Sequence, residues 1–230
     1  MTNPIMVAID TADRDSALSL AGAVANSVGA FKVGLGLLHG PGSGLIGDLR
    51  DLGRPVFVDA KLHDIPTQVE RAARALGRAG ARWLTAHVAG GSAMLAAAVA
   101  GLADGSDHTA GVLGVSVLTS LDAVTLMEVG IHESPEDLVA QMARVAEASG
   151  AEGVVCSPRE ITIVRTAAPR VAVVTPGIRP AGSEVGDQLR TATPQDALAA
   201  GASWLVIGRP ITAAADPAAA AAEIAGQINA

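Results

Sequence analysis

The chain has 230 residues, half of them hydrophobic, 17% charged and 2% aromatic, with a formal net charge of −7. So apolar a composition excludes a disordered chain. A single cysteine, Cys156, excludes a disulfide scaffold, and acidic charge without a basic stretch speaks against nucleic acid as a partner. No uninterrupted apolar run reaches the roughly 18 residues of a membrane span. The opening residues, Met1 to Asp10, carry neither a basic segment nor a long apolar one, so no membrane association and a cytoplasmic location are expected. The 16 cations comprise 14 arginines and two lysines, Lys32 and Lys61. Arginine replaces lysine easily on a solvated surface but not where a compact, titratable ammonium is needed, which singles out these two positions.

Short β-branched runs alternate with longer Ala-rich segments along the chain. Strands are predicted at 5–9, 30–35, 55–61, 83–87, 111–117, 153–156, 171–175 and 203–207, each apolar enough to be buried on both faces of a parallel sheet. Helices are predicted at 14–28, 68–78, 92–102, 135–149, 158–167, 194–200 and 217–228. Pro135, Pro158, Pro194 and Pro217 suit a first helical turn, where a missing N–H costs little. Ser134, Ser157, Thr193 and Asp216 precede them as N-caps. Eight strands separated by helices match an α/β fold, the (β/α)8 TIM barrel, as a single domain over 1–230; an open doubly wound sheet is the alternative. Trp83 and Trp204 are expected in the core, and Cys156 as a small buried hydrophobe.

In a barrel the chemistry sits at the C-terminal ends of the strands. Those ends read Asp10, Lys32, Asp59 with Lys61, His87, Thr119, Pro176 to Arg179, and Gly208-Arg209. Asp59 and Lys61 are two apart on a strand and so share a face, and Asp64 follows before Pro66 opens a helix. Buried charges are costly unless paired, and a cluster of four or more is more often catalytic than stabilising. Lys32, inside an apolar strand, needs such a partner; Asp10 and Asp59 on the flanking strands supply two. The run Thr175-Pro176-Gly177-Ile178-Arg179, continued by Gly182, Gly186 and Gln188, reads as a Gly-rich anion-binding lid after strand seven. Gly208-Arg209, where strand eight runs into a helix start, reads as a second anion-binding element. Phosphate commonly binds after strands seven and eight of this fold. His63 and His87 with Asp59 and Asp64 could build a divalent metal site, but two ammonium groups in the same cluster would repel a cation; no metal and no cofactor are expected.

The run Asp59-Ala60-Lys61-Leu62-His63-Asp64-Ile65-Pro66 resembles the signature of the orotidine 5′-monophosphate decarboxylase family. The resemblance continues through Asp10, Phe31-Lys32-Val33-Gly34, Val117-Leu118-Thr119-Ser120, Thr175 to Arg179 and Gly208 to Thr212, in order over essentially the whole chain. The Asp-x-Lys-x-x-Asp core alone is shared with sugar-phosphate decarboxylases and synthases of the same superfamily. Those relatives place an acidic metal ligand near the position of Lys32.

The resemblance implies that orotidine 5′-monophosphate is converted to uridine 5′-monophosphate and carbon dioxide. It makes Lys61 the proton donor to C6, sets Asp59 against the substrate carboxylate, and gives Lys32 and Asp10 to the ribose and the charge network. Thr119 would contact the pyrimidine; Pro176, Arg179, Gln188, Gly208 and Arg209 would surround the phosphate. Asp64 would reach the partner's site in a homodimer, with Ile65 and Pro66 beside it, and either Thr67 or Gln68 would touch the ribose. A phosphopentose epimerase and a non-catalytic phosphosugar-binding barrel are the other readings, and the lysines and the intact charge cluster argue against them.

Overall fold

The computed structural model describes residues 3–180 and 191–229. Its eight strands are β1 (Ile5–Ile9), β2 (Ala30–Val33), β3 (Val56–Leu62), β4 (Ala81–His87), β5 (Gly111–Val115), β6 (Gly153–Val155), β7 (Ala172–Thr175) and β8 (Trp204–Ile207). They pair in parallel with their sequence neighbours, and β1 pairs with β8, so the sheet closes into a barrel. Closure leaves no edge strand and rules out the open doubly wound sheet.

Two apolar layers follow from strand alternation. Met6, Phe57, Trp83, Leu113 and Val206 point inward and plug the barrel. Ile5, Val7, Ile9, Phe31 and Val58 point outward and meet the helices. Trp83 is buried and meets the partly buried Trp204 edge to face, with ring centroids 5.0 Å apart. The indole N–H of Trp83 donates to Glu152 at 2.7 Å, and Arg82 donates to both oxygens of the same carboxylate.

The outer ring comprises α1 (Arg14–Val24), α2 (Leu35–His39), α3 (Gly44–Arg50), α4 (Pro66–Arg78), α5 (Gly91–Gly105), α6 (Ala123–Glu128), α7 (Pro135–Ala148), α8 (Ile161–Ala167), α9 (Pro194–Ala199), α10 (Arg209–Thr212) and α11 (Pro217–Asn229). The expected caps form: Ser134, Thr193 and Asp216 accept from the backbone N–H three residues on, and Glu160 reaches back to the Ser157 N–H. Several boundaries move: α4 begins at Pro66 rather than 68, α5 runs to Gly105 rather than 102, and β4 begins at Ala81 rather than 83. The helix predicted at 14–28 ends at Val24 and finishes in a single 3₁₀ turn. The strand predicted to reach residue 35 stops at Val33, where extended Gly34 leads into α2. The strand predicted to reach 117 ends at Val115. Helices α2, α3, α6 and α10 are additions to the predicted set; none exceeds two turns, too short for an apolar stripe to repeat.

α4 and α5 pack at backbone contact. Val69, Ala73 and Gly77 form the buried stripe of α4, and a Cβ on Gly101 or Gly105 of α5 would overlap the carbonyl oxygens of Glu70 and Arg74. One correction concerns membranes: residues Val88–Gly105 are long and apolar enough to cross one by length and composition. A search for uninterrupted apolar runs passes over them because Ser92 and Asp104 break the run, while seven alanines hold the average up. Here that segment belongs to the ring, against α4 and the barrel wall.

Candidate active site

The strand ends enclose a cavity of about 350 Å³. Its floor is the inward-facing apolar layer, through Phe57, Val115, Val155 and Val206, and its rim is polar, with Asp10, Lys32, Asp59, Lys61, Thr119, Pro176, Arg179, Gly208 and Arg209. These are nine of the residues singled out in the sequence.

Four rim charges alternate in sign across three adjacent strands. The Lys32 ammonium lies 3.3 Å from Asp10 and 3.9 Å from Asp59, and Lys61 lies 2.6 Å from Asp59. Lys32 is 9% exposed, so these carboxylates rather than water are the partners of its ammonium. Gly34 clears the space beside it: a Cβ there would stand 3.2 Å from Asp10 Oδ1 and 3.3 Å from Lys32 Nζ.

Asp59 and Lys61 do share the cavity, but not through strand alternation. Val58 pairs with Leu84 and Leu62 with Ala86. Residues 59, 60 and 61 of β3 therefore face one residue of β4, Thr85, in a bulge. Within it Lys61 has φ +48°, a left-handed backbone uncommon for a residue with a side chain. Bulges of this kind re-aim side chains near functional sites. Thr85 fills the mouth of the bulge. Its hydroxyl donates to Asp59 Oδ1 at 2.9 Å and accepts from the Lys61 backbone N–H at 2.9 Å. The sequence reading missed Thr85; its only signal is one hydroxyl in the apolar run from Trp83 to Ala86.

Asp64, Ile65, Pro66, Thr67 and Gln68 stand apart. All five are exposed, and none lines the cavity. Asp64 accepts from the Ile65 N–H at 2.6 Å, and Ile65 is 64% exposed. Gln188, with Gly182 and Gly186, lies outside the described residues. The segments flanking them are tied together: Ile178 bridges Ala192, and the Arg179 N–H donates to the Ala192 carbonyl at 2.9 Å.

His87 closes β4 with its ring centroid 5.5 Å from that of His63. Burial, and then the His63 and Lys61 charges, hold its imidazole below the ordinary histidine value, with Asp59 opposing. Cys156 also lines the cavity; burial first, then the Glu160 charge, push its thiol well above the usual range, so it stays protonated. Among the described residues no three His, Cys, Asp or Glu side chains converge as a metal would require.

The cavity thus joins an apolar floor, a paired-charge wall and two arginines, Arg179 and Arg209, at the ends of strands seven and eight. The profile of the orotidine 5′-phosphate decarboxylase / HUMPS family matches residues 3–224. The chain belongs to this family. It is 50% identical over 222 residues to an orotidine 5′-phosphate decarboxylase of Anaeromyxobacter dehalogenans, with 96% of each chain covered. It is 46% identical to one from Paramagnetospirillum magneticum, with both chains covered completely. Among solved structures, the orotidine 5′-phosphate decarboxylase from Lactobacillus acidophilus superposes with a TM-score of 0.88 at 35% identity, covering 99% of this chain and 100% of that one. The family therefore spans the whole barrel, including every strand end that contributes to the cavity.

Proposed function

We propose that this cavity converts orotidine 5′-monophosphate to uridine 5′-monophosphate and carbon dioxide, in pyrimidine biosynthesis and without a cofactor. The observation that carries the reading is the array Asp10, Lys32, Asp59, Lys61, alternating in sign on one wall. Loss of carbon dioxide from C6 leaves an electron pair with no neighbouring carbonyl to take it up. Lys61 stabilises that charge as it forms and then donates its proton to C6. A preorganised ammonium acts this way because it interacts more strongly with the transition state than with the substrate. Asp59 lies beside the substrate carboxylate and keeps Lys61 in place. Lys32 and Asp10 bind the ribose, Thr119 the pyrimidine, and Pro176, Arg179, Gly208 and Arg209, with Gln188, the phosphate.

Two ammonium groups in one cavity would repel a divalent cation, which supports chemistry without a metal. Lys32 also stands near where sugar-phosphate relatives carry an acidic metal ligand, which favours decarboxylation of a nucleotide over sugar-phosphate chemistry.

The working unit in this reading is a cytoplasmic homodimer. Asp64 and its neighbours are exposed on a rim that also shows Ile65 to solvent. A carboxylate next to an exposed isoleucine suits insertion into a second copy's site, with Ile65, Pro66 and Thr67 or Gln68 completing the contact.

The test is direct. Chelator-treated protein is incubated with orotidine 5′-monophosphate while pyrimidine absorbance is followed. Turnover unchanged by chelator supports the whole reading. Turnover lost to chelator and restored by zinc or magnesium would overturn the metal-free chemistry, and no turnover would reject the decarboxylase.

A further inference from the structure

We infer that Thr85 is a positioning residue, whose hydroxyl holds both Lys61 and Asp59 in their working geometry. Three observations on different atoms converge on it. Thr85 is completely buried in the middle of β4, where burying a hydroxyl is costly unless it is hydrogen-bonded. It is the one β4 residue opposite three residues of β3, so it sits where the bulge would otherwise lack ladder partners. Its oxygen serves the two reacting residues at once, through the Asp59 carboxylate and the Lys61 main chain.

One hydroxyl has one proton to give. Thr85 gives it to Asp59 Oδ1, which leaves Oδ2 for the ammonium groups of Lys61 and Lys32. A lone pair then accepts from the Lys61 N–H, the donor that anchors the left-handed turn. Backbone in that region persists only when its surroundings determine it, and the Thr85 hydroxyl is part of those surroundings. Thr85 itself does not line the cavity, so its effect passes through Lys61 and Asp59. The inference rests on the proposed decarboxylase reading only in taking those two as the reacting pair.

The sequence supplies an unusual probe. The chain has two lysines, so protein labelled with carbon-13 at lysine Cε shows two lysine signals, assigned by the one lost in Lys61→Arg. Thr85→Val removes the hydroxyl and keeps the branched shape. The Lys61 signal should move more than the Lys32 signal, and kcat should fall about 10²-fold, as expected for a reacting group misplaced by an ångström or so. Affinity for uridine 5′-monophosphate should change far less. Thr85→Ser keeps the hydroxyl and should restore both the Lys61 signal and most of kcat. If Thr85→Val does not fold, Thr85→Cys, which substitutes a poorer donor and acceptor, should show the same displacement. An unmoved Lys61 signal, or a serine variant as impaired as the valine one, would overturn the inference. Because the signals are read without substrate, a wild type that fails to decarboxylate would reject the proposed reaction and leave this test intact.

Discussion

Lys61 meets Asp59 across 2.6 Å from a backbone with φ +48°. The pair is therefore set by main-chain conformation and not only by the attraction of two charges. A flexible lysine on an ordinary strand would sample many rotamers; here the bulge decides where its stem begins.

The first consequence concerns Lys61→Arg. Arginine keeps the charge but holds its proton to a pKa above about 12, and its planar fork is wider than an ammonium. Activity should fall at least as far as the roughly 10²- to 10⁴-fold attributed to general acid catalysis, nearly matching Lys61→Ala, with thermal stability close to wild type. Steady-state kcat/KM beside a melting curve checks this. Retention within about tenfold, roughly 1.4 kcal/mol of barrier, would show that Lys61 supplies only a charge.

A site shared across the proposed homodimer predicts complementation. Asp64→Asn and Lys61→Ala proteins, each poor alone, should regain activity on mixing, because some hybrid dimers contain one site with both intact residues. Subunit exchange is verified with differently tagged chains. Full exchange without recovery would place Asp64 outside the neighbouring site.

The proposed phosphate site predicts a substrate-dependent effect. Charge-assisted contacts are worth about 1.5–3 kcal/mol each, so Arg209→Ala should lower kcat/KM for the nucleotide by roughly ten- to a hundredfold. On orotidine without its phosphate the wild type should be poor and the variant little worse. Equal losses on both would make Arg209 a structural residue.

The α4–α5 contact separates two glycines of similar sequence appearance. Gly105→Ala would drive a methyl group into the Arg74 carbonyl and should cost about 1–3 kcal/mol, as overpacking does, lowering Tm by several degrees. Gly22 in α1 has nothing within 4 Å of its would-be Cβ. Gly22→Ala should stabilise by roughly 0.5–1 kcal/mol through helix propensity. Thermal denaturation of both variants at one pH is sufficient.

His87 predicts a pH dependence. Its imidazole sits below the ordinary 6.5 in the folded chain, so on acidification the unfolded chain takes up this proton first. The contribution to stability is therefore present above about pH 6.5 and is lost as pH falls toward the folded value. Tm should drop between pH 7.5 and 5.5, and His87→Gln should drop less. Parallel slopes in the two proteins would show that other groups cause the decline.

Much of this was legible in the sequence because the barrel writes its strands as short apolar runs and its site as polar interruptions at their ends. Asp10, Lys32, Asp59 and Thr119 are such interruptions, and the cavity rim collects them. The bulge was not legible: the run from Val56 to Leu62 looks like any strand, contains no glycine, and reveals its two surplus residues only against β4. Thr85 was hidden for the same reason, since its partners are chosen by register across strands. Helices α2, α3, α6 and α10 escaped because one or two turns cannot display a period. Asp64 through Gln68 were read as part of the motif, yet they do not line the cavity of their own barrel, a fact no linear pattern contains.

The concentration of both lysines in one cavity has a practical side. Outside that cavity the side chains of this chain offer amine-directed reagents nothing: every other cation is a guanidinium. Among its side chains, activated esters, aldehydes and amine-coupled biosensor chips would find Lys61, which is 31% exposed. Tethering or fluorescent tagging of this protein is best routed through other chemistry.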